Sequence, residues 1–484
     1  MTSDMKKYDF RCNKIKMRNA VLLLFAVVLL PTQLLSFSRK SDKQTTLVFP
    51  SFLHTYGIRK ATKTHLLLYT RNRVKVRNPQ GLAVTRLQSW DDPKSKKDDD
   101  EVTGYGVNSG ANMIVYNTSI KSLGFYGLKK KGQEALNHPL GIAANALGDV
   151  YVADTGNDRI MRLFNPKKKL QFVQGIGGKG ALPGQFNQPH DVALDADNFV
   201  YITDTANHRV QVLRADNQLH SWFGKAGVEA GQFWHPTGIA VTNGHEKWSH
   251  FKDRFIVVID LDGTRIQKFT LDGKFVKAVS LQDFGFKTGK LMYLALDYYS
   301  QIWATDFVNG CVHKFDRNLN YLTTFGKEGT GDREFEQPRG IAIYKRFGQV
   351  FIAEKESAQY YWIGTDIKNV AASFDSAKKL IRLDFFLTEP SFVSLEVEKS
   401  HHKIEKTIME KVKFSSGKQS VYLDGGMKRI PTFMVKKVYM ANLVRKENGS
   451  PVQPGNYTFH LKIEPTYSSY KYFSKKVETT LLVE

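Results

Sequence analysis

A motif of short apolar runs and polar turns recurs along this chain, and residues 187–213, NQPHDVALDADNFVYITDTANHRVQVL, show it most clearly. A proline precedes an apolar run at 192–194, a polar turn follows at 195–198, and further apolar runs occupy 199–202 and 210–213. Runs this short, closed by Asp, Asn and Gly, predict β-strands joined by tight turns rather than helices. One copy cannot bury its own faces, so the copies must stack on each other.

Six copies of the motif can be aligned on the apolar residue of their first strand. These residues are Leu82, Ile142, Val192, Ile239, Leu294 and Ile341. The second apolar run of a copy is nearly continuous, as in FVYITDT (199–205) and FIVVIDL (255–261). Such runs are typical of strands in sheets that are covered on both faces. Blades packed face to face around a common axis meet that requirement.

Two phrases carry a resemblance to a known family. HPLGIAANALGDVYVADTGNDRIMRLF (138–164) and QPRGIAIYKRFGQVFIAEK (337–355), with connectors such as AGQFWHP between copies, resemble the NHL repeat. The resemblance implies a six-bladed β-propeller, which we place at residues 64–366.

Closure of the ring needs one more strand. The sixth copy supplies a third strand in AQYYWIG (358–364), after which the pattern changes. The stretch HLLLYTRNRVKV (65–76) reads as one or two strands and precedes the first copy. We expect it to supply the missing fourth strand, since this would join the two ends of the ring and remove an exposed sheet edge.

The last part of the chain, residues 367–484, has a different pattern. Alternating apolar and polar residues with turns between them predict a β-sandwich. The phrases FLTEPSFVSLEVEK (386–399) and GSPVQPGNYTFHLKI (449–463) resemble an Ig-like domain of the flagellar hook-capping type. The predicted fold class is therefore all-β, with a six-bladed β-propeller followed by an Ig-like β-sandwich.

The first 38 residues have the pattern of an export signal. A lysine- and arginine-rich segment (1–18) precedes an apolar run (20–30), and the small residues Ser36 and Ser38 have the spacing of a cleavage site. An uncleaved membrane anchor is the alternative, because apolar residues continue beyond the run. Either interpretation exports the bulk of the chain. Residues 39–63 read as a basic leader without a pattern.

The number of cysteines indicates the cellular compartment. Cys12 and Cys311 are the two cysteines of the chain, so a disulfide framework is not expected. An exported protein without disulfides suits a bacterial envelope, either periplasmic, at the cell surface or anchored in the membrane, better than an animal extracellular space.

An acidic and a basic residue stand five apart across a tight turn in three consecutive copies. This spacing makes them cross-strand neighbours that can pair. We interpret the pairs as structural, each holding its own hairpin, rather than as a ring of ligand contacts. The pairs are Asp154 with Arg159, Asp204 with Arg209, and Asp260 with Arg265. The fifth copy has Cys311 in place of the arginine, and we interpret it as a buried packing thiol.

Three histidines are the candidate binding or metal-ligating residues of the repeats. His138, His190 and His235 lie in matching connectors just before the innermost strand, and Arg339 and Gln80 occupy the position of His190 in their copies. A propeller would bring these positions to one face near its central channel. Three converging imidazoles could hold zinc with an open fourth position.

The zinc-dependent NHL propeller that these connectors resemble is the peptidyl-hydroxyglycine lyase of peptide amidation. This chain departs from it, because only His190 directly follows its proline, while His138 and His235 precede theirs. A metal demands accurate ligand geometry. We therefore predict no cofactor and a polar lining of the channel mouth, with the zinc lyase as an alternative.

The net charge of +23 indicates an acidic partner. The favoured function is that of a non-enzymatic binding or scaffold protein of the envelope, which uses the propeller face for a protein or an acidic polysaccharide. The N-terminal segment could also associate with a membrane. Some cytoplasmic NHL propellers bind RNA and provide a further alternative, but export argues against it, and the basic residues lack the interleaved aromatics of stacking platforms. No nucleic acid partner is expected.

Overall fold

The computed structural model describes residues 44–50, 59–69, 74–90, 102–119, 122–167, 169–376, 379–399, 402–425, 442–444, 451–467 and 473–484. The segment predicted to be an export signal, 1–38, lies outside these residues. Among the described residues, no helix combines the length and the apolar character that crossing a membrane requires.

Strands dominate the described chain from its start. The first elements are β1 (Leu47–Val48), β2 (Lys60–Ala61) and α1 (Lys63–Tyr69). The first two sheets contain β3 (Pro79–Thr85), β4 (Thr103–Asn108), β5 (Met113–Ser119) and β6 (Ser122–Tyr126), then β7 (Ile142–Ala144), β8 (Asp149–Asp154), β9 (Arg159–Phe164) and β10 (Gln171–Ile176). The third sheet contains β11 (Pro189–Leu194), β12 (Val200–Asp204), β13 (Arg209–Leu213) and β14 (Leu219–Phe223).

Three more sheets follow the same order. The fourth contains β15 (Ile239–Thr242), β16 (Phe255–Asp260), β17 (Arg265–Phe269) and β18 (Phe275–Ser280). The fifth contains β19 (Leu291–Leu296), β20 (Ile302–Asp306), β21 (Cys311–Phe315) and β22 (Tyr321–Phe325). The sixth is built on β23 (Ile341–Tyr344), β24 (Gln349–Ala353) and β25 (Ala358–Ile363).

The six sheets form a closed ring. In the first five sheets the four strands pair as antiparallel neighbours in chain order, and in the sixth β23, β24 and β25 do so, with β1 beyond β25. The innermost strands contact each other in cyclic order, from β3 to β7, β11, β15, β19 and β23, and β23 contacts β3 again. The second strands β12, β16 and β20 are buried along their whole length. The chain therefore forms the predicted six-bladed β-propeller, with each sheet covered on both faces.

The ring closes through an earlier segment than the one we predicted. The outer edge of β25 pairs with β1 and, further along, with β2; Leu47 lies opposite Ile363 and Lys60 opposite Gln359. Within 65–76, the described residues are the helix α1 up to Tyr69 and non-strand chain from Val74, so the prediction that 65–76 supplies the closing strand is wrong. The propeller accordingly begins before residue 64, within the segment interpreted as a leader.

The C-terminal residues form two further sheets. One contains β26 (Ile367–Asp375), β27 (Leu380–Leu387), β30 (Gly417–Leu423) and β31 (Asn442–Val444); the other contains β28 (Ser391–Lys399), β29 (His402–Phe414), β32 (Gly455–Pro465) and β33 (Lys475–Val483). Leu383 of the first sheet and Val393, Leu395 and Phe459 of the second share one apolar core. The two sheets thus pack face to face as a sandwich, and the Ig-like and hook-capping resemblances remain predictions.

The sandwich packs against blade five of the propeller. Lys314 of β21 forms a buried ion pair with Glu389, and its ammonium lies 4.4 Å from the ring centroid of Trp303. The Tyr299 hydroxyl lies 2.5 Å from Thr466 Oγ1 at the same boundary. These buried polar contacts join the last part of the chain to the ring.

Candidate functional site

Equivalent connector positions meet at the mouth of the central channel. The residue after the proline of each connector, or its equivalent, stands at the start of an innermost strand. These residues are Gln80, Leu140, His190, Thr237, Met292 and Arg339. The structure brings Gln80 and His190 together through Tyr293 of blade five, whose hydroxyl donates to Gln80 Oε1 at 3.2 Å and whose ring centroid lies 5.5 Å from that of His190.

Tyr293 and Asp191 fill the channel where the other blades have glycine. A Cβ on Gly141 would lie 2.2 Å from Asp191 Oδ1, and one on Gly340 would lie 2.2 Å from the carbonyl oxygen of Gln80. Neighbouring blades approach too closely at this level for a side chain in every copy. Blades three and five alone carry one here. Sequence reasoning missed both residues, although the missing glycine was a visible signal.

Arg339 has, at the channel mouth, a buried hydrogen-bond donor without an acceptor in the described part of the chain. It is only 8% exposed, and its Nη2 donates to Gln337 Oε1 at 3.3 Å. Its Nη1 is buried without a hydrogen-bond partner among the described residues. The guanidinium carbon lies 5.3 Å from the ring centroid of Phe307. A buried N–H group of a guanidinium without an acceptor is costly, so the position favours an incoming acceptor.

His190 contributes a neutral imidazole. Burial, and then the nearby charges of Lys290 and His138, lower the pKa of His190 to about 4. Its Nδ1 is buried and has no partner among the described residues. The ring is therefore uncharged at neutral pH and can donate or accept one hydrogen bond, depending on its tautomer.

Asp191 does not neutralise the positive charge of the mouth. Burial raises the pKa of Asp191 to about 8, against the lowering effect of hydrogen bonds from Ile239 N and Val192 N. The carboxyl group is therefore protonated at neutral pH. Two basic side chains lie near this set, Arg339 beside Tyr293 and the exposed Lys290 beside His190.

The three histidines do not converge. His138 and His235 precede their prolines with φ of 46° and 49°, whereas His190 follows its proline, so the side chains leave the chain in different directions. His138 is exposed, with Nδ1 3.4 Å from Ser109 Oγ. The His235 ring centroid lies 5.0 Å from that of His208, and its Nδ1 lies 3.1 Å from Asp262 Oδ1.

Zinc binding by these histidines is therefore not supported. In the described part of the chain, the group with three potential ligand atoms within 4.8 Å of one another is a different one, Asp306, Cys311 and His313 in blade five. Because His138, His190 and His235 form no such group, the connector residues do not fit a three-histidine zinc centre.

The turn pairs lie inside their blades and not on a binding face. Arg159 Nε lies 2.8 Å from Asp154 Oδ2, and Arg209 Nε lies 2.8 Å from Asp204 Oδ2. Arg265 Nη2 lies 2.7 Å from Asp260 Oδ2. The three arginines also donate to backbone carbonyls of the preceding connector. Each pair joins a hairpin to its connector and has no face available for a ligand.

The last two blades depart from this arrangement. In blade five, Cys311 and His313 stand where blades three and four have arginine and glutamine, and Asp306 pairs with His313. In blade six, Glu354 pairs with Lys60 of β2 at 3.2 Å, so the closing segment supplies the cation there. Gln359, in the arginine position, donates instead to the carbonyl of Glu334 at 2.7 Å.

Comparisons with known proteins support the repeat. The NHL repeat family matches residues 136–162 and 186–213, which belong to blades two and three. No curated protein matches the chain.

Three solved structures illustrate the likeness. A streptogramin B lyase is 14% identical with a TM-score of 0.41, covering 60% of this chain and 94% of its own. Virginiamycin B lyase from Staphylococcus aureus is 14% identical with a TM-score of 0.40, and the match covers 63% of this chain and 98% of the lyase. The gluconolactonase XC5397 from Xanthomonas campestris is 14% identical with a TM-score of 0.41, and the match covers 66% of this chain and 97% of the gluconolactonase. At these values no activity is transferred to the chain.

Proposed function

We propose that this chain is an exported, non-enzymatic binding protein of the bacterial cell envelope, and that its channel mouth binds carboxylate groups of an acidic polysaccharide. The observation that carries the proposal is Arg339 Nη1, a buried N–H donor without an acceptor among the described residues. A carboxylate supplies the acceptor and the opposite charge, and arginine is the side chain best suited to bind it.

The surroundings of Arg339 support an anionic group over a neutral one. Lys290 adds a second positive charge, and Asp191 is protonated at neutral pH because burial raises its pKa to about 8. His190 Nδ1 offers a further buried polar atom without a partner among the described residues. A neutral hydroxyl would satisfy the hydrogen bonds but would leave the attraction between charges unused.

The rest of the chain fits a partner with many negative charges. A net charge of +23 attracts an acidic polymer over a distance and accelerates its encounter with the mouth. Trp234, 41% exposed, lies in the connector before blade four. It stacks with His208 and lies beside His235, so an aromatic surface borders the connector. A polymer with ring-shaped units and carboxylates matches both features.

The test is the binding of oligogalacturonate to the full chain, measured by calorimetry at two salt concentrations. Arg339→Gln should weaken binding by about 10-fold or more, because it removes hydrogen bonds to a charged group worth about 1.5–3 kcal/mol. Arg214→Gln is the matched control, since Arg214 is exposed and forms only a loose pair with Asp216 at 3.8 Å. It should leave the affinity unchanged apart from a small effect of salt.

Three outcomes would contradict the proposal. Equal affinity of the Arg339 and Arg214 variants would exclude the channel mouth as the binding site. Equal binding of a neutral oligosaccharide would remove the role of the carboxylate. Preferential binding of poly-glutamate through Arg339 would change the partner from a polysaccharide to an acidic protein. Mass spectrometry of the bound oligosaccharide should recover it uncleaved, and sequencing the mature N-terminus tests export.

A further inference from the structure

Blade five has replaced two members of a buried set that blades three and four share. Blade three has Asp204, Arg209 and Gln211, and blade four has the same residue types in the same register. In blade five the aspartate is kept as Asp306, but Cys311 and His313 occupy the other two positions. The guanidinium that binds the carboxylate is thus replaced by a thiol, and the neighbouring amide by an imidazole; both are potential metal ligands.

The three side chains face one another inside the blade. His313 Nε2 lies 3.2 Å from Asp306 Oδ2 and 3.7 Å from Cys311 Sγ. All three ligand atoms lie within 4.8 Å of one another. Ligand atoms about 2.0–2.3 Å from a tetrahedral Zn²⁺ lie roughly 3.3–3.6 Å apart. Two edges of the observed triangle therefore differ from zinc coordination by only a few tenths of an ångström.

We propose that Asp306, Cys311 and His313 form a metal site that binds Zn²⁺ or a similar transition-metal ion. The oxygen, sulfur and nitrogen donors match the ligand types that zinc prefers. The ion takes the place of the arginine of blades two, three and four and connects the two strands of the hairpin. Binding releases the proton of the Cys311 thiol to solvent, since the thiolate is the ligand.

The surrounding residues hold the imidazole in the orientation that a ligand needs. His313 Nδ1 lies 2.7 Å from Thr324 Oγ1, an arrangement that leaves Nε2 free to coordinate, as in metal-bound histidines. The rings of Phe284 and Phe286 pack edge-on against the imidazole at 5.0 and 4.6 Å. Asn309 Nδ2 donates to Asp306 Oδ2 at 2.7 Å and fixes the carboxylate.

A plain ion pair between His313 and Asp306 is the competing explanation. It accounts for the 3.2 Å contact, but it requires no particular residue at 311. The thiol is 2% exposed and points at the same imidazole nitrogen. The two explanations differ in one measurable respect, which is whether the sulfur of Cys311 coordinates an added ion.

The experiment adds Co²⁺, as a spectroscopic substitute for Zn²⁺, to the full chain after treatment with a chelator. We expect about one ion per chain and a thiolate-to-cobalt absorption band in the near ultraviolet. Cys12→Ser should keep the band and Cys311→Ser should lose it. In the Cys12→Ser chain, Cys311 is the remaining cysteine, so a band there identifies the ligand even if the Cys311 variant fails to fold.

A double variant separates metal binding from folding. Cys311→Arg with His313→Gln gives blade five the residue types of blades three and four, so it should fold and should lose the metal and the sensitivity of its melting temperature to a chelator. Thr324→Val should weaken Co²⁺ binding about 10–100-fold, because it removes the support of the imidazole.

The proposal is overturned if the folded Cys12→Ser chain shows no thiolate band with Co²⁺, or if the double variant retains the metal. It is also overturned if His190→Ala, rather than Cys311→Ser, abolishes binding, since the ion would then lie in the channel.

Discussion

Arg209 provides a stringent test of how the blades are held together. Its Nε donates to Asp204 Oδ2 at 2.8 Å, and its two terminal nitrogens donate to the carbonyls of Ala181, Leu182 and Gln185. Asp204 is fully buried. Arg209→Met leaves this carboxylate inside the protein without its cation, a change that typically costs about 3–5 kcal/mol.

The lower end of that range applies here. Asp204 keeps hydrogen bonds from Asn187 N, Asn207 Nδ2 and Gln211 Nε2, which continue to stabilise the negative charge. The carbonyl groups that lose Arg209 belong to a connector with exposed residues, so water can replace the donor. We therefore expect a loss of about 3 kcal/mol, which lowers the melting temperature by about 6 °C in a domain of this size.

Thermal and urea denaturation of the full chain, followed by circular dichroism, provide the assay. Arg214→Met is the control, because its pair with Asp216 is exposed and should contribute less than about 1 kcal/mol. Adding Asp204→Asn to Arg209→Met should recover more than half of the loss, since no buried charge then lacks a partner. If Arg209→Met melts at the same temperature as Arg214→Met, the reasoning about the turn pairs fails.

Three further predictions concern closure, pH and the junction with the sandwich. Leu47→Ala should destabilise the chain by about 2–5 kcal/mol, whereas Leu68→Ala, at a site 67% exposed, should change denaturation midpoints little. Burial raises the pKa of Asp191 to about 8, above its unfolded value of about 3.9, so its contribution to stability is present below pH 4 and is lost as pH rises to about 8. Asp191→Asn should remove this pH dependence. Parallel melting-temperature profiles of the variant and the unaltered chain from pH 4 to 9 would contradict the prediction. Lys314→Met removes the buried hydrogen-bond partner of Glu389, and because burial already raises the pKa of Glu389 to about 8, the carboxyl group takes up a proton and the loss by urea denaturation should be about 1–3 kcal/mol; an unchanged urea midpoint would disprove the role of the pair.

The repeat architecture was predictable because its signals are local. Short apolar runs and polar turns repeat in every blade, and a proline precedes the first strand in every blade except the fifth; together they predicted the six innermost strands that the structure contains. The spacing of five residues between Asp204 and Arg209 is a consequence of one tight turn, and the two residues lie opposite each other in the ladder.

Closure of the ring was not predictable from such signals. β1 is two residues long, and Leu47 pairs with Ile363 from the far end of the propeller, so no periodic pattern marks it. The apolar run at 65–69 is equally compatible with a strand and a helix. The structure resolves it as a helical turn, in which Leu66 N donates to the carbonyl of Thr62 at 3.0 Å.

Part of the candidate site was predictable from the repeat pattern. Alignment of the copies identified Gln80, His190 and Arg339, because equivalent positions of a ring meet at its mouth. The direction of each side chain depends on backbone angles that the alignment does not contain, so His235 turned out to pair with Asp262 rather than to join His190. Tyr293 was missed because its role depends on a contact across the channel, its hydrogen bond to Gln80, which alignment of the copies does not show.

The crystal structure of the full chain with a bound galacturonate trimer is the most direct test of the account. We expect six blades closed by residues 47–48 and a carboxylate oxygen about 2.7–3.2 Å from Arg339 Nη1, the distance of a hydrogen bond. A trimer bound elsewhere, with Arg339 Nη1 paired to a group of the protein itself, would contradict the proposed role of the mouth.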